Sequence, residues 1–350
     1  MRKIIILFFL VVNSSPIFSQ DLQMYHGGIF NPMLLQHSAN KYFFNPSAIG
    51  ETEDQVFTTA VSVNSAANGY SSAACYEFPT IKGKHAFAIQ VNNYQNGVYR
   101  NMEMRNYVSH DIYVSTFAVE GIDMLETSLL YSRSFYIDGE NKINVGAQAV
   151  FKRFKFLPDM HNPVIFYNIQ YPVYAPDINF GAQYSRRKFY IGASVKNLFE
   201  PHFTQQHLTP KDDDNGYKVT YFTAMNHMTA FITAGNTFQL SDKTNLQTSL
   251  LICTDDANMY ASNFDLNNTF VFNKKGRIGF SIKDPSMYTL EMYNKYGGYQ
   301  LLGKRSFGFN NFALNTGYTF NNVEIGFAFA SQLNNKWFLN AGEGYLKVRI

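Results

Sequence analysis

From about Gln55 onward the chain is written in segments of roughly ten residues in which apolar and non-apolar positions alternate with period two, the pattern and length of a tilted transmembrane β-strand. In 85–94, Phe87, Ile89 and Val91 share one face, while Ala86, Ala88, Gln90 and Asn92 share the other. In 142–152, Ile143, Val145, Ala147, Ala149 and Phe151 oppose Asn144, Gly146, Gln148 and Lys152. In 177–185, Ile178, Phe180, Ala182 and Tyr184 oppose Asp177, Asn179, Gly181, Gln183 and Ser185. After the charged turn Ser185-Arg186-Arg187-Lys188 the pattern resumes in 188–197 with Phe189, Ile191, Ala193 and Val195, which reads as a hairpin. The alternation recurs at 246–252, 264–272 and 323–330, and the last segment, 337–349, is expected to close the sheet against the first.

A soluble β-sandwich also shows one apolar face per strand. Its strands, however, run about five or six residues, and its water-facing side is rich in Lys and Glu. Here the second face is mostly Gly, Ala, Ser, Asn and Gln, which fits a crowded barrel lumen. The expected fold is therefore all-β: a transmembrane antiparallel β-barrel of about 14 strands, with segment counting allowing about 14 to 16. The short turns at Ser241-Asp242-Lys243, Asn273-Lys274-Lys275-Gly276 and Asn321-Asn322 should face the periplasm. The longer connections around 154–176 and 199–217 should lie outside, because outer-membrane barrels keep their longer loops there.

Composition supports this picture. Hydrophobic residues make up 46% of the chain and aromatics 17%, with 24 Tyr and 33 Phe to supply interfacial girdles. Mean hydropathy is nonetheless only -0.21, as expected when every second side chain avoids lipid. The N-terminus has Arg2 and Lys3, an apolar run Ile4–Val12 and a polar or small stretch to Gln20, which reads as a secretory signal peptide. That run is too short to span a bilayer, which takes roughly 20 apolar residues. The first cysteine is Cys75, so a processed N-terminal lipid anchor is not expected. The resulting organisation is 1–20 signal peptide, 21–50 an N-terminal periplasmic or lumen-packed segment, and 51–350 an outer-membrane barrel in one domain. A net charge of +3 is too small to argue for nucleic acid, and Cys75 and Cys253 read as small strand side chains rather than a bridge.

Two phrases precede the strands: Tyr25-His26-Gly27-Gly28-Ile29-Phe30-Asn31-Pro32 and Tyr42-Phe43-Phe44-Asn45-Pro46-Ser47-Ala48-Ile49-Gly50. Together they resemble the opening of the PorP/SprF family of type IX secretion proteins, where a QY-x-FNP-like phrase is followed by an NPA-x-AG-like one. Further on, Pro176-Asp177-Ile178-Asn179-Phe180-Gly181 leading to Lys188-Phe189-Tyr190-Ile191-Gly192-Ala193-Ser194-Val195 resembles the central hairpin of that family. The chain departs from the pattern at Ser47 and Ile49, at Lys196-Asn197, and at its non-aromatic end, Lys347-Val348-Arg349-Ile350.

The resemblance implies periplasmic secretion components as partners, together with a secreted adhesin-like cargo and the outer-membrane lipid. It points to Phe30, Asn31, Pro32, Asn45 and Pro46 as partner-binding residues, and to Asp177, Phe180, Gly181, Tyr190, Gly192 and Ser194 as the family hairpin. Pro32 and Pro46 push the preceding Asn into extended backbone, so 21–50 is not one helix but a broken segment at the periplasmic mouth or inside the lumen. Deleting 21–40 is then expected to leave the barrel able to fold while abolishing partner capture. Replacing the lumen-facing Gly192 by a small polar residue is expected to be milder than placing Arg at the outward Ile191.

Strong enzyme and metal motifs are missing from the sequence, so neither catalysis nor a cofactor is expected. Asp212-Asp213-Asp214-Asn215-Gly216 lacks the closing Glu of a calcium loop, and His202 and His207 have no thiolate beside them. The rival class is a passive porin or solute transporter, which would need an open lumen. A hydrolase would need Ser, His and a carboxylate brought together by the fold.

Overall fold

The computed structural model describes residues 37, 39–51, 54–64, 69–78, 81, 84–96, 99–108, 111–119, 121–157, 173–210, 217–225, 228–255, 263–283, 286–295, 298–307, 311–334 and 336–350. Residues 1–20, read above as a signal peptide, together with Phe30, Asn31, Pro32 and 212–216, lie outside these residues.

Among the described residues twenty strands follow in order: β1 Val56–Asn64, β2 Gly69–Glu77, β3 His85–Asn96, β4 Tyr99–Val108, β5 Asp111–Val119, β6 Gly121–Tyr136, β7 Asn141–Leu157, β8 Val173–Arg186, β9 Phe189–Lys196 and β10 His202–Pro210. They continue with β11 Tyr217–Met225, β12 Thr229–Gln239, β13 Thr244–Asp255, β14 Asn263–Phe272, β15 Gly276–Lys283, β16 Ser286–Lys295, β17 Gly298–Phe307, β18 Asn311–Phe320, β19 Val323–Asn334 and β20 Lys336–Arg349. Fourteen of them close one barrel in the order β1-β2-β3-β6-β7-β8-β9-β12-β13-β14-β15-β18-β19-β20. The remaining six form three separate two-stranded sheets, β4-β5, β10-β11 and β16-β17. β20 seals the cylinder by pairing antiparallel with β1 from Val56↔Arg349 to Asn64↔Ala341. No edge is left open in the barrel, which is what a bilayer demands of a sheet.

All neighbours are antiparallel, so connections alternate between two ends. One end carries the turns 78–84, 137–140, 187–188, 240–243, 273–275 and 321–322 together with the starts of β1 and the finish of β20. The other carries the three extra hairpins, the ends of β1, β7, β13 and β19 and the starts of β2, β8, β14 and β20. The expected loops at 154–176 and 199–217 are thus shorter as loops than read: β7 runs to Leu157, β8 begins at Val173, and β10 occupies His202–Pro210.

The short turns use left-handed residues, with φ 51° at Arg187, 50° at Asn273, 58° at Lys274 and 53° at Asn321. Asn tolerates this region better than most side chains. In the 137–140 turn, the Asp138 carboxylate accepts the N–H groups of Glu140 and Asn141, each at 2.8 Å. The Glu140 N–H, followed by the Asn141 amide and N–H, keeps that carboxyl below its ordinary pKa.

The two faces of the wall separate as the alternation requires. On β3, Phe87, Ile89 and Val91 are 43%, 41% and 38% exposed, whereas Ala88, Gln90 and Asn92 are at most 2% exposed. Outward residues are exposed because lipid covers them. Inward residues are buried because the lumen is filled. Cys75 is buried and Cys253 half-buried, and no disulfide joins them.

Ile191 points outward and is 45% exposed. Ile191→Arg should cost about 2–4 kcal/mol, the penalty for a cation on the lipid face near the bilayer centre. Urea unfolding from liposomes is the measurement, and a change within experimental error would mean that this face does not meet lipid.

Candidate functional site

The material filling the lumen is the segment before β1. Two single turns of 3-10 helix, Lys41–Phe43 and Pro46–Ala48, lie inside the cylinder. Tyr42, Phe43, Phe44, Ala48 and Ile49 are all at most 5% exposed, and they form one apolar cluster with Ala60, Cys75, Leu130, Phe231, Leu251 and Tyr345 from the wall. Phe44 packs on Phe231 with ring centroids 5.5 Å apart. Burying a large apolar side chain contributes about 1.5–3 kcal/mol, so this aromatic run stabilises the segment in place.

Local chemistry shapes the turn. Pro46 drives Asn45 into extended backbone, φ -130° and ψ 109°. Asn45 then caps the second turn: its Oδ1 accepts the N–H of Ser47 at 3.0 Å and the hydroxyl of Ser47 at 2.7 Å. Its Nδ2 donates outward to the carbonyl of Ala182 at 3.2 Å.

The wall opposite is cut to receive this turn. Gly146 and Gly181 are paired across β7 and β8, and Gly181 is paired with Ser194 across β8 and β9. A Cβ at Gly146 would run into the backbone of Pro46 and Ser47, at 2.6 Å from the Pro46 carbonyl oxygen. One at Gly181 would strike Asn45 Oδ1, and one at Gly192 would lie 2.8 Å from Asn45 Nδ2. Gly192 faces the lumen as expected, and a Cβ there would have to shift the side-chain end of the capping Asn45.

Hydrogen bonds from the wall meet the carbonyls that such short turns leave free. Ser194 Oγ donates to Phe44 O at 2.7 Å, Ser132 Oγ to Ser47 O at 3.3 Å and Lys196 Nζ to Phe43 O at 3.4 Å. At the short-turn end, Gly50 N–H donates to Glu77 Oε2 at 2.9 Å. Further up the lumen, His37 Nδ1 lies 3.1 Å from Asp265 Oδ2 on β14. Lys41 pairs with Glu51 at 2.8 Å and sits 4.0 Å over the Tyr190 ring.

Beside the cradle, towards the end with the long connections, is a buried set of charges. Lys152 Nζ donates to Asp177 Oδ2 at 2.7 Å and to Asn197 Oδ1 at 2.5 Å, with Glu126 Oε1 at 3.9 Å. Asn92 donates to Glu126 at 3.2 Å, and Asp177 Oδ1 accepts the Phe199 N–H at 3.1 Å. Lys152 and Asp177 are each at most 1% exposed. Charges so deep are tolerated only when paired and hydrogen-bonded.

Of the residues singled out from the sequence, Asn45, Pro46, Gly181, Gly192 and Ser194 come together at one contact. Tyr190 lies beneath Lys41, and Asp177 belongs to the charged set. Phe180 is 47% exposed on the lipid face and takes no part. Sequence reading missed Gly146, Ser132, Lys196, His37, Asp265 and Glu126. Lys152 was visible as a cation at an inward position of an alternating strand, which is a signal for a buried partner.

Comparison with known proteins adds two findings. Residues 121–344 match the model of the family described as type IX secretion system membrane protein PorP/SprF. That span holds the hairpin with Asp177, Gly181, Gly192 and Ser194 and leaves out Asn45 and Pro46. Among solved structures, similar chains include the toluene transporter TodX of Pseudomonas putida, at 9% identity over 87% of this chain and 90% of that one, TM-score 0.44. The CymD monoaromatic hydrocarbon channel is 9% identical over 91% of this chain and 92% of its own, TM-score 0.47. A Pseudomonas aeruginosa FadL homologue is 10% identical over 92% and 94%, TM-score 0.42. No curated protein matches the sequence. With its alternating strands closed into a membrane barrel, and with well over half of its length matched, the chain belongs to the PorP/SprF family of type IX secretion system membrane proteins.

Proposed function

We propose that this chain is an outer-membrane accessory barrel of a type IX secretion system that works by binding proteins, with the short-turn end facing the periplasm. Its partners are periplasmic components of the secretion apparatus, a cognate secreted adhesin-like cargo, or both. The observation that carries this reading is the family match over 121–344. The lumen filling supports it further: a barrel whose interior holds Tyr42, Phe43 and Phe44 is suited to presenting surfaces, whereas the rival porin reading needs an open path.

The test is affinity capture of the full, signal-processed chain from cross-linked cells, read by mass spectrometry. Enrichment of type IX secretion components or of one secreted cargo is expected, relative to an unrelated outer-membrane barrel. Recovery of neither would overturn the proposal. Planar-bilayer recording addresses the rival: steady, high conductance from the wild-type protein would favour a porin.

In the N-terminal segment, Phe30, Asn31 and Pro32 lie outside the described residues, and the packing of Asn45 and Pro46 supports a role in filling the lumen. Asn45 and Pro46 are directed at the barrel wall, so in this conformation they offer partners no surface. Deletion of 21–40 would remove His37 and Asn40 from the lumen as well, and it therefore tests packing together with partner capture. We expect that deletion to keep a heat-modifiable barrel of lowered thermal stability, measured by electrophoresis after heating over a temperature series; an unchanged transition would mean the deleted residues add little stability.

A further inference from the structure

The short-turn end carries lysines on its neighbouring turns at 240–243, 273–275 and 321–322. Backbone bonds tie the three turns together: Asn273 N–H donates to Lys243 O at 2.7 Å and Thr319 N–H to Lys275 O at 2.8 Å. Lys243, Lys274 and Lys275 are exposed, and Asp242 is the one acid in these turns. None of the four enters an ion pair among the described residues. Arg277 and Glu324, which follow in β15 and β19, pair with each other at 2.9 Å and both reach Tyr345 on the lumen side, so they offer the lysines no counter-charge.

Two observations separate this arc from an ordinary solvated rim. The first is strain. Lys275 N–H donates to Phe272 O at 2.9 Å and closes a turn whose two central residues are left-handed, Asn273 at φ 50° and Lys274 at φ 58°. Such turns favour Asn followed by Gly, because a β-carbon is disfavoured at the second site. Lysine stands there at a cost in stability, and strain of this kind gathers where a side chain has a function. The second is the division of chemistry at the end of the wall. The outward positions beside these turns, Phe238, Leu240, Phe272 and Phe320, are apolar and exposed. Lipid therefore meets an aromatic and aliphatic border, and the lysines occupy only the turns beyond it.

We propose that this arc is a docking surface for a carboxylate-rich segment of a periplasmic protein. The inference rests on the reading of the short-turn end as the periplasmic, partner-facing one, and it adds the chemistry of what docks there. Charge complementarity selects the occupant: three lysines against one aspartate leave an excess of positive charge spread over two joined turns, which an extended Asp- or Glu-rich chain can span. A lipid phosphate would need cations on the outward wall, where Phe238, Leu240, Phe272 and Phe320 stand instead.

Fluorescence anisotropy with the full processed chain in phosphatidylcholine nanodiscs tests this directly. The probe is a labelled peptide of alternating Glu and Ser, and a peptide of alternating Gln and Ser is its control. The acidic peptide should bind about tenfold more tightly than the control, since each exposed ion pair adds a small increment, and high salt should abolish the difference. The triple variant Lys243→Gln, Lys274→Gln and Lys275→Gln, checked for heat-modifiable folding, should lose that preference, while Lys84→Gln in the 78–84 connection should keep it. Lys274→Gly should weaken binding of the acidic peptide and yet raise the thermal transition of the barrel, because glycine relieves the left-handed site. Equal binding of the two peptides by the wild type, or an unchanged preference in the triple variant, overturns the proposal. So does phosphatidylglycerol that the wild type retains through delipidation and the triple variant loses, which would make a lipid phosphate the occupant. Affinity capture separates this surface from the reading it rests on. Secretion components recovered in full yield by the triple variant overturn the docking surface alone, whereas a peptide preference with no captured component supports the surface and overturns that reading.

Discussion

Gly146→Val should expel the Asn45-Pro46 turn from the lumen. The added side chain meets backbone atoms of Pro46 and Ser47, not the far end of a flexible side chain, so no rotamer change relieves the clash. Overpacking of this kind costs about 1–3 kcal/mol even where neighbours can shift. Here the neighbour that must shift is the whole segment, and with it go the aromatic cluster of Tyr42, Phe43 and Phe44 and the Ser194 and Ser132 hydrogen bonds. The expected result is a barrel that conducts ions in planar bilayers and is cut by trypsin at Lys41, while the wild type resists both. Gly139→Val is the control, because nothing lies within 4 Å of a Cβ in that turn. A closed, trypsin-resistant Gly146→Val protein would show that the segment is not held against β7.

Lys152→Met should be the most destabilising single change in the charged set. The methionine fits the space of the lysine stem but leaves Asp177 without its 2.7 Å partner and leaves Lys196 as the other lysine near Glu126 and Asp177. Removing one member of a buried pair costs about 3–5 kcal/mol, mainly because the remaining charge stays buried without compensation. Two further donors, the N–H groups of Ile178 and Phe199, still reach Asp177 Oδ1 at 2.8 and 3.1 Å, and they soften the loss without cancelling it. The check is a double-mutant cycle by urea unfolding in liposomes. Combining Lys152→Met with Asp177→Asn should be less destabilising than the sum of the two single changes. Additive effects would mean that the pair is not coupled.

The sequence alone determined the class of fold and the facing of the wall. Period-two alternation is a local property: Phe87, Ile89 and Val91 must leave the lumen together whatever β3 pairs with, because successive side chains point to opposite sides of a strand. Closure of the last strand on the first follows from the same physics, since a sheet in lipid cannot keep an open edge. The family resemblance was legible in the hairpin around Gly181 and Gly192, within the span that the family model matches.

What the sequence did not contain was the use of that hairpin. Gly146, Gly181 and Gly192 look like ordinary small lumen residues until Asn45 and Pro46 are seen lying against them. The pairing joins positions about a hundred or more residues apart, and neither its depth nor its register is encoded in any local period. Lys152, Asp177 and Glu126 pose the same problem: each is a polar inward position on its own strand, and only the stagger of β6, β7 and β8 brings their charged ends within reach. Alternation specifies which side of the wall a residue faces, whereas tertiary structure alone decides what it meets there, because contacts across a lumen depend on how the whole cylinder closes.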